Sequence, residues 1–321
     1  MIYANLQSYR QAWADAYTQD PPVPLNVDIE LASVCNLTCP FCFISDENFE
    51  DMIRKDAGDG RSRRRLMPKQ MAFRIIRECG EIGVPAIKLN WRGESTLHPD
   101  YAEIAAYARR EGILEVLANS NFNCSDSAVD GLMHTTKAMA SLDSLNPETY
   151  QVMRRGGSLE KAKEVIHKVI QMDHKNLWIR RVLSKDNRHE DFAGQVRKEF
   201  GPSVNISEHF CFDRNADSSH ESPGCDHDDS KRIFCGYPAQ RIVCASSGLC
   251  YPCCIDLHET MPVGDINKQS LPAIWNGEPM RKLRRELRSG IYSSDACRNC
   301  QSWMSHDAPQ RNFVQDVEVK A

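Results

Sequence analysis

The chain has 321 residues with a formal charge of −4 and a pI near 6.2, a balance that excludes a protein whose main task is gripping nucleic acid. Mean hydropathy is −0.51, and no uninterrupted apolar run reaches membrane-spanning length, so no membrane partner is expected. Fourteen cysteines, behind an N-terminus that lacks the basic start and apolar core of a secretory signal, read as metal-binding thiols rather than a disulfide framework. The expectation is a soluble, cytoplasmic protein with one large domain and one small one.

Residues 1–20 read as a short amphipathic helix, with Leu6, Trp13 and Tyr17 on one face, ending before Pro21 and Pro22. Apolar residues then alternate from Val23 to Leu31, a strand that leads into Cys35, Cys39 and Cys42. Residues 46–66 turn from acidic (Asp46, Glu47, Glu50, Asp51) to basic (Arg61, Arg63, Arg64, Arg65) around Gly58 and Gly60. That is a solvated loop on the plainer reading, or a lid whose arginines hold an anionic substrate.

From Met67 helix and strand alternate. Helices are predicted near 68–82, 100–111, from Ser125-Asp126, from Asn146-Pro147, over 158–173 and over 189–200. Strands are predicted at 86–91, 113–118, 138–142, 177–183 and about 204–210. Six strands separated by helices demand a parallel sheet with right-handed crossovers. The pattern alone leaves an open doubly wound sheet and a barrel both standing.

An acidic, polar stretch follows (Asp213, Asp217, Asp226, Asp228, Asp229), giving expected units of 1–22, 23–210, a linker at 211–234, and 235–321. Cys225-Asp226-His227 inside the linker is too short a cue to count as a metal site.

Three thiols spaced C-x3-C-x2-C in one loop suit an iron–sulfur cluster better than a structural zinc, which wants four ligands. A redox or zinc cluster sharing the spacing is the bland alternative. The segment from Cys35 to Cys42 resembles the radical S-adenosylmethionine enzymes. That resemblance implies a partial (β/α)6 barrel and a [4Fe-4S] cluster on Cys35, Cys39 and Cys42, whose open iron chelates S-adenosylmethionine.

Other residues match further motifs of that family. Arg92-Gly93-Glu94-Ser95 resembles its Gly-Gly-Glu-Pro motif, which implies that Gly93 and Glu94 receive the methionyl ammonium, although Arg92 and Ser95 depart from the pattern. Asn119-Ser120-Asn121 stands where Thr-Asn-Gly is frequent. Ser141 and Asp143 match Ser-x-Asp near the cosubstrate's ribose and methionyl groups, and Arg154 matches an arginine that pairs with the methionyl carboxylate.

Cys235, Cys250, Cys253, Cys254, Cys297 and Cys300 follow in an order and spacing similar to the auxiliary-cluster extension called SPASM. No cysteine follows Cys300, as in its one-cluster form, the twitch domain. The resemblance implies a second [4Fe-4S] cluster on Cys235, Cys253, Cys297 and Cys300, with Cys253 preferred to Cys254 because it stands five places after Gly248. A structural zinc held by four cysteines is the competing reading. Cys250, in place of a usual aliphatic residue, is singled out as a hydrogen-atom donor facing substrate.

The resemblance implies an enzyme reduced by a flavodoxin or ferredoxin that cleaves S-adenosylmethionine to a 5′-deoxyadenosyl radical. The expected outcome is dehydrogenation of a small hydroxylated or amino-sugar-like metabolite, an oxidoreductase reaction. Epimerisation, maturation of a ribosomal peptide and a non-catalytic iron–sulfur or zinc scaffold remain as alternatives.

Overall fold

The computed structural model describes residues 2–45, 65–210, 235–298 and 300. The charged loop from Asp46 to Arg64, the acidic stretch from Asp213 to Asp229 and the Cys225-Asp226-His227 cue lie outside the described residues.

Six parallel strands follow in sequence: β1 (Asn26–Ile29), β2 (Ala86–Lys88), β3 (Glu115–Ser120), β4 (Lys137–Ser141), β5 (Leu177–Leu183) and β6 (Asn205–Phe210). Each pairs with the next, the order of a partial (β/α)6 barrel. The connecting helices include α2 (Lys69–Ile82), α3 (Tyr101–Arg110), α4 (Asp126–Met133), α5 (Pro147–Met153), α6 (Leu159–Gln171) and α7 (Phe192–Phe200). Their starts carry the local chemistry read from sequence. Ser125 accepts from the Ala128 amide, and Asn146 accepts from the Glu148 and Thr149 amides with Pro147 just inside the helix.

The sheet does not stop at β1. After α8 (Tyr237–Gln240), β7 (Arg241–Cys244) pairs parallel to β1's free side, and β8 (Leu249–Tyr251) and β9 (Gly264–Asp265) continue antiparallel. The C-terminal segment therefore extends the barrel sheet itself. Helices α9 (Leu271–Trp275), α10 (Glu278–Arg288) and α11 (Asp295–Arg298) complete it.

Successive strand residues face opposite sides. Val27, Ile29, Ile87, Val116, Ala118, Ala138, Ala140, Ile179, Ile206 and Ile242 share one apolar core with Ile75, Ile104, Leu132 and Val165 of the helices. Many of the alternate positions are polar: Asp28, Lys88, Asn119, Ser141, Arg180, Ser207, His209 and Arg241 line the inner face, together with apolar Leu117, Met139 and Val243. Strand spacing would put β2 and β5 roughly 14 Å apart along the sheet. As in a partial (β/α)6 barrel, the sheet curls around a lumen instead, and Lys88 and Arg180 both face into it.

Helix α1 (Leu6–Asp15) packs Tyr9 and Trp13 against Leu25, Ala86 and Ala239, at the strands' N-terminal end. The face differs from expectation: Leu6 is exposed, and Tyr9 joins Trp13 on the buried stripe, four residues apart on one side of the helix. Among the described residues no helix is long and apolar enough to cross a membrane.

Candidate active site

The loop that leaves β1 carries Cys35, Cys39 and Cys42 across the C-terminal end of the strands. Backbone contacts hold it: the Thr38 amide donates to Arg155 O (2.9 Å), Cys42 to Cys39 O (3.0 Å) and Glu94 to Val34 O (2.8 Å). On its polar flank Asn121 Nδ2 donates to Asn36 Oδ1 (2.8 Å), and Asn36 Nδ2 donates to Asn123 O (2.9 Å). Burial pushes the Cys35 thiol up to about 12, and the negative Glu94, Cys39 and Cys42 add to it. Burial also raises Cys39, against the pull of Arg154. Cys35 and Cys39, which resist ionisation alone, are thiols that cationic iron would relieve, releasing their protons as it binds.

Gly93 lies directly under this loop with φ +65°. A Cβ there would stand 2.3 Å from Ala32 O and 2.6 Å from Val34 O, so only glycine fits. Glu94 is buried and both its oxygens are engaged. One accepts from Thr96 Oγ1 (2.7 Å) and the Thr96 amide (3.2 Å), the other from the Asn121 amide (2.7 Å). Its carboxylate braces the loop ends together.

Asp143 is fully buried in the left-handed region, φ +66°. Its Oδ1 accepts from the Val182 amide (2.7 Å) and its Oδ2 pairs with Arg154 Nε at 2.6 Å. Arg154 Nη1 also lies 3.8 Å from Cys39 Sγ, and the guanidinium sits over Phe41. Asp143 and Arg154, both expected at the cosubstrate, thus meet each other, and Asp143 orients the arginine beside the thiols. Ser141 Oγ donates to Asn119 Oδ1 (3.0 Å) on the lumen rim.

Cys235, Cys253, Cys297 and Cys300 come together as lining of one largely apolar cavity, with Pro238, Ile255, Met261, Leu283, Leu287 and Ala296 around them and Asp256, whose carboxylate accepts from Thr260 and Met261, at its wall. Four thiols in an apolar wall fit a cluster held by protein ligands alone. Cys254 is not in that lining. Its Sγ accepts from Arg241 Nη1 (3.4 Å) instead. Its thiol is held down to about 6, first by a hydrogen bond from Cys253, with burial opposing and Arg241 assisting.

Cys250 does not meet its expectation. In the β7–β8 register it faces Cys244, its Sγ 3.7 Å from that sulfur, inside the apolar core and fully buried. The antiparallel pairing turns it away from the lumen.

Sequence reasoning passed over a buried ionic network that joins the two thiol groups. Arg92 donates to both Glu30 oxygens (2.6 and 3.0 Å), to Glu259 (2.5 Å) and to Leu257 O (3.3 Å), and stacks on Trp91. Burial works against the guanidinium's charge, but Glu30 and Glu259 outweigh it. Glu30 also accepts from Ser246 N and Oγ, and Glu259 from Tyr251 Oη. The signal was present: a glutamate in Ile29-Glu30-Leu31 breaks what a parallel strand buried on both faces should show.

Comparison with known proteins agrees with this architecture. Residues 29–194 match the radical SAM superfamily, and residues 235–301 match the SPASM iron–sulfur cluster-binding domain. A probable GTP 3′,8-cyclase of Methanococcus maripaludis is 27% identical over 146 residues, 45% of each chain. The chain thus spans about half the length of the curated relatives it matches. Streptococcus suis SuiB, solved bound to S-adenosylmethionine, shares the fold at TM-score 0.67 and 15% identity over 90% of this chain and 76% of that one. BtrN, solved with AdoMet and 2-DOIA, does so at TM-score 0.54 and 15% identity, over 88% of this chain and 94% of that one.

Proposed function

Because the chain belongs to the radical S-adenosylmethionine superfamily and carries a SPASM-type auxiliary iron–sulfur domain, we propose that it dehydrogenates a small hydroxylated or amino-sugar-like metabolite. The observation that carries the oxidative outcome is the ring of Cys235, Cys253, Cys297 and Cys300 around one apolar cavity. Four protein thiolates leave no iron open to substrate, which suits electron transfer. When bound, the two clusters and S-adenosylmethionine supply a hydrogen-abstracting 5′-deoxyadenosyl radical and a sink for the second electron.

The chain's own residues divide the remaining work. In this reading residues 23–210 form the barrel that takes substrate, and residues 235–321 form the auxiliary unit. Cys35, Cys39 and Cys42 hold the first cluster, and Gly93 lets the backbone after β2 pass close beneath them. Glu94 and Asn121 brace that backbone, and Asp143 presents Arg154 to the cosubstrate's carboxylate. Ser141 and Asn119 offer polar atoms to its ribose end. The lumen, closed below by Tyr9 and Trp13 of α1, shields a substrate radical from solvent. A flavodoxin or ferredoxin is the reductant this scheme needs.

The test is anaerobic turnover of reduced, reconstituted protein with S-adenosylmethionine and candidate alcohols, amino sugars and peptides. The expected result is 5′-deoxyadenosine with a product two mass units lighter than its substrate. No 5′-deoxyadenosine would leave only a non-catalytic scaffold. Unchanged mass with deuterium gained from solvent would replace oxidation by epimerisation.

A further inference from the structure

The lumen holds charges that neither thiol site uses. Asp28, Lys88, Arg180 and Arg241 face its middle, from β1, β2, β5 and β7. Asp28 is already answered: Asn26 Nδ2 donates to one oxygen at 2.8 Å and Arg241 Nη1 lies 3.5 Å from the other. Arg241 in turn stacks on Tyr237 and lies over Trp13, which fixes it to the floor.

Lys88 has no such anchor. It is half-buried, and its amine makes no hydrogen bond or ion pair with any described residue. Burial lowers its pKa, Asp28 and Cys254 raise it, and Arg241 and Arg180 lower it further. Opposite it, Arg180 Nε donates to His209 Nε2 (3.1 Å) and Nη1 to Met139 Sδ (3.4 Å), which hold the guanidinium plane in the lumen. Ser207 stands beside Arg180 in the β5–β6 register, on the same face. It is fully buried, and its Oγ has no hydrogen-bond partner.

A lumen-facing ammonium without a hydrogen-bonding partner and a buried hydroxyl left unused each cost free energy. An oxyanion between them would remove both costs at once, accepting from the ammonium, the guanidinium and the hydroxyl.

We propose that the lumen between Lys88, Arg180 and Ser207 seats an anionic group of the substrate, a phosphate or a carboxylate. This rests on the reading of the barrel as the substrate's site. It narrows the metabolite to one that carries such a group beside the C–H bond to be attacked.

The test uses reconstituted holoenzyme with S-adenosylmethionine and two probes, inorganic phosphate and acetate, at constant ionic strength set with sodium chloride. Thermal melting should rise saturably with phosphate, acetate or both, and the stronger probe tells which group the seat prefers. Lys88→Met should weaken that apparent affinity at least about tenfold, while Lys88→Arg keeps most of it. Without any probe, Lys88→Met should melt about 2–4 °C higher than wild type, because an uncompensated charge has gone. A lysine that merely supports the fold would give a lower melting point.

No saturable shift with either probe, or the same shift in Lys88→Met, overturns the proposal. 5′-Deoxyadenosine formed by the same wild-type preparation reports the radical reading separately. If it forms and no anion binds, the anion seat alone is wrong. If it does not form, the radical reading fails whatever the probes do.

Discussion

The two groups of thiols are surrounded by opposite chemistry. Around Cys35, Cys39 and Cys42 the neighbours are Asn36, Asn121, Glu94, Asp143 and Arg154, tied to one another by hydrogen bonds and an ion pair. Around Cys235, Cys253, Cys297 and Cys300 they are mostly apolar, Leu283, Leu287, Met261, Ile255 and Ala296, with Asp256 among them but turned to Thr260 and Met261. A polar rim suits three ligands and a zwitterionic cosubstrate that must come and go. An apolar wall suits four ligands and nothing else, since it keeps water from the metal and leaves no donor to attract a substrate. On the assignment proposed above, the same group, a cysteine thiolate, would be put to two uses by the side chains around it.

The sharpest way to break this contrast is to remove one ligand from each group. Cys35→Ala should abolish 5′-deoxyadenosine formation and reduce bound iron from about eight to about four atoms per chain. Iron analysis and chromatography of quenched reactions check it, and persistent 5′-deoxyadenosine would take the loop out of the chemistry. Cys297→Ala should act later, with the yield of oxidised product per 5′-deoxyadenosine falling at least about tenfold. Equal losses of both would show that the two groups do not have separable roles.

Between these sites lies the part of the molecule that the sequence conveyed least directly. Helix starts at Ser125 and Asn146 were legible because a cap depends on a few adjacent residues. Strand β5 was legible over its whole length, Leu177–Leu183. Strand β1 was expected over 23–31 but pairs with β2 and β7 only as Asn26–Ile29. There the Glu30 amide still donates to Cys244 O, while its side chain turns to meet Arg92 and Ser246. Those partners are 62 and 216 residues away, and no local pattern reports them. Placing β7 beside β1 is the same kind of fact. The lumen charges were visible as Asp28, Lys88 and Arg180 within strand patterns, yet which cation is answered and which is not depends on curvature that only the fold supplies.

Arg92 tests whether the two regions are mechanically one. It stands where the family's motif has glycine, and it ties the backbone above Gly93 to Glu259, a few residues beyond Cys253. Arg92→Met would leave Glu30 and Glu259 buried without their cation, a destabilisation of about 3–5 kcal/mol by comparison with other broken buried pairs. Arg92→Met,Glu259→Gln should recover part of that loss, because one of the two stranded carboxylates is then neutral. Denaturation of the three proteins side by side decides it. A loss below about 1 kcal/mol in the single variant would mean that the network carries little strain and the regions are joined by packing instead.

The smallest expected effect is at Cys250, and it separates two thiols only four residues apart. Cys250 packs against Cys244 and Gly248 O in the core, whereas Cys254 faces Arg241 on the lumen side. Cys250→Ala removes one buried sulfur and should cost about 1 kcal/mol of stability, since the cavity left is small. Rate, product and deuterium content should stay as in wild type, because a thiol on the helix side of the sheet cannot approach a substrate radical in the lumen. Product analysis of this variant is therefore a test of the β7–β8 register. If turnover changes in Cys250→Ala, the pairing of Cys244 with Cys250 is wrong by one residue, and every side chain on β8 changes face with it.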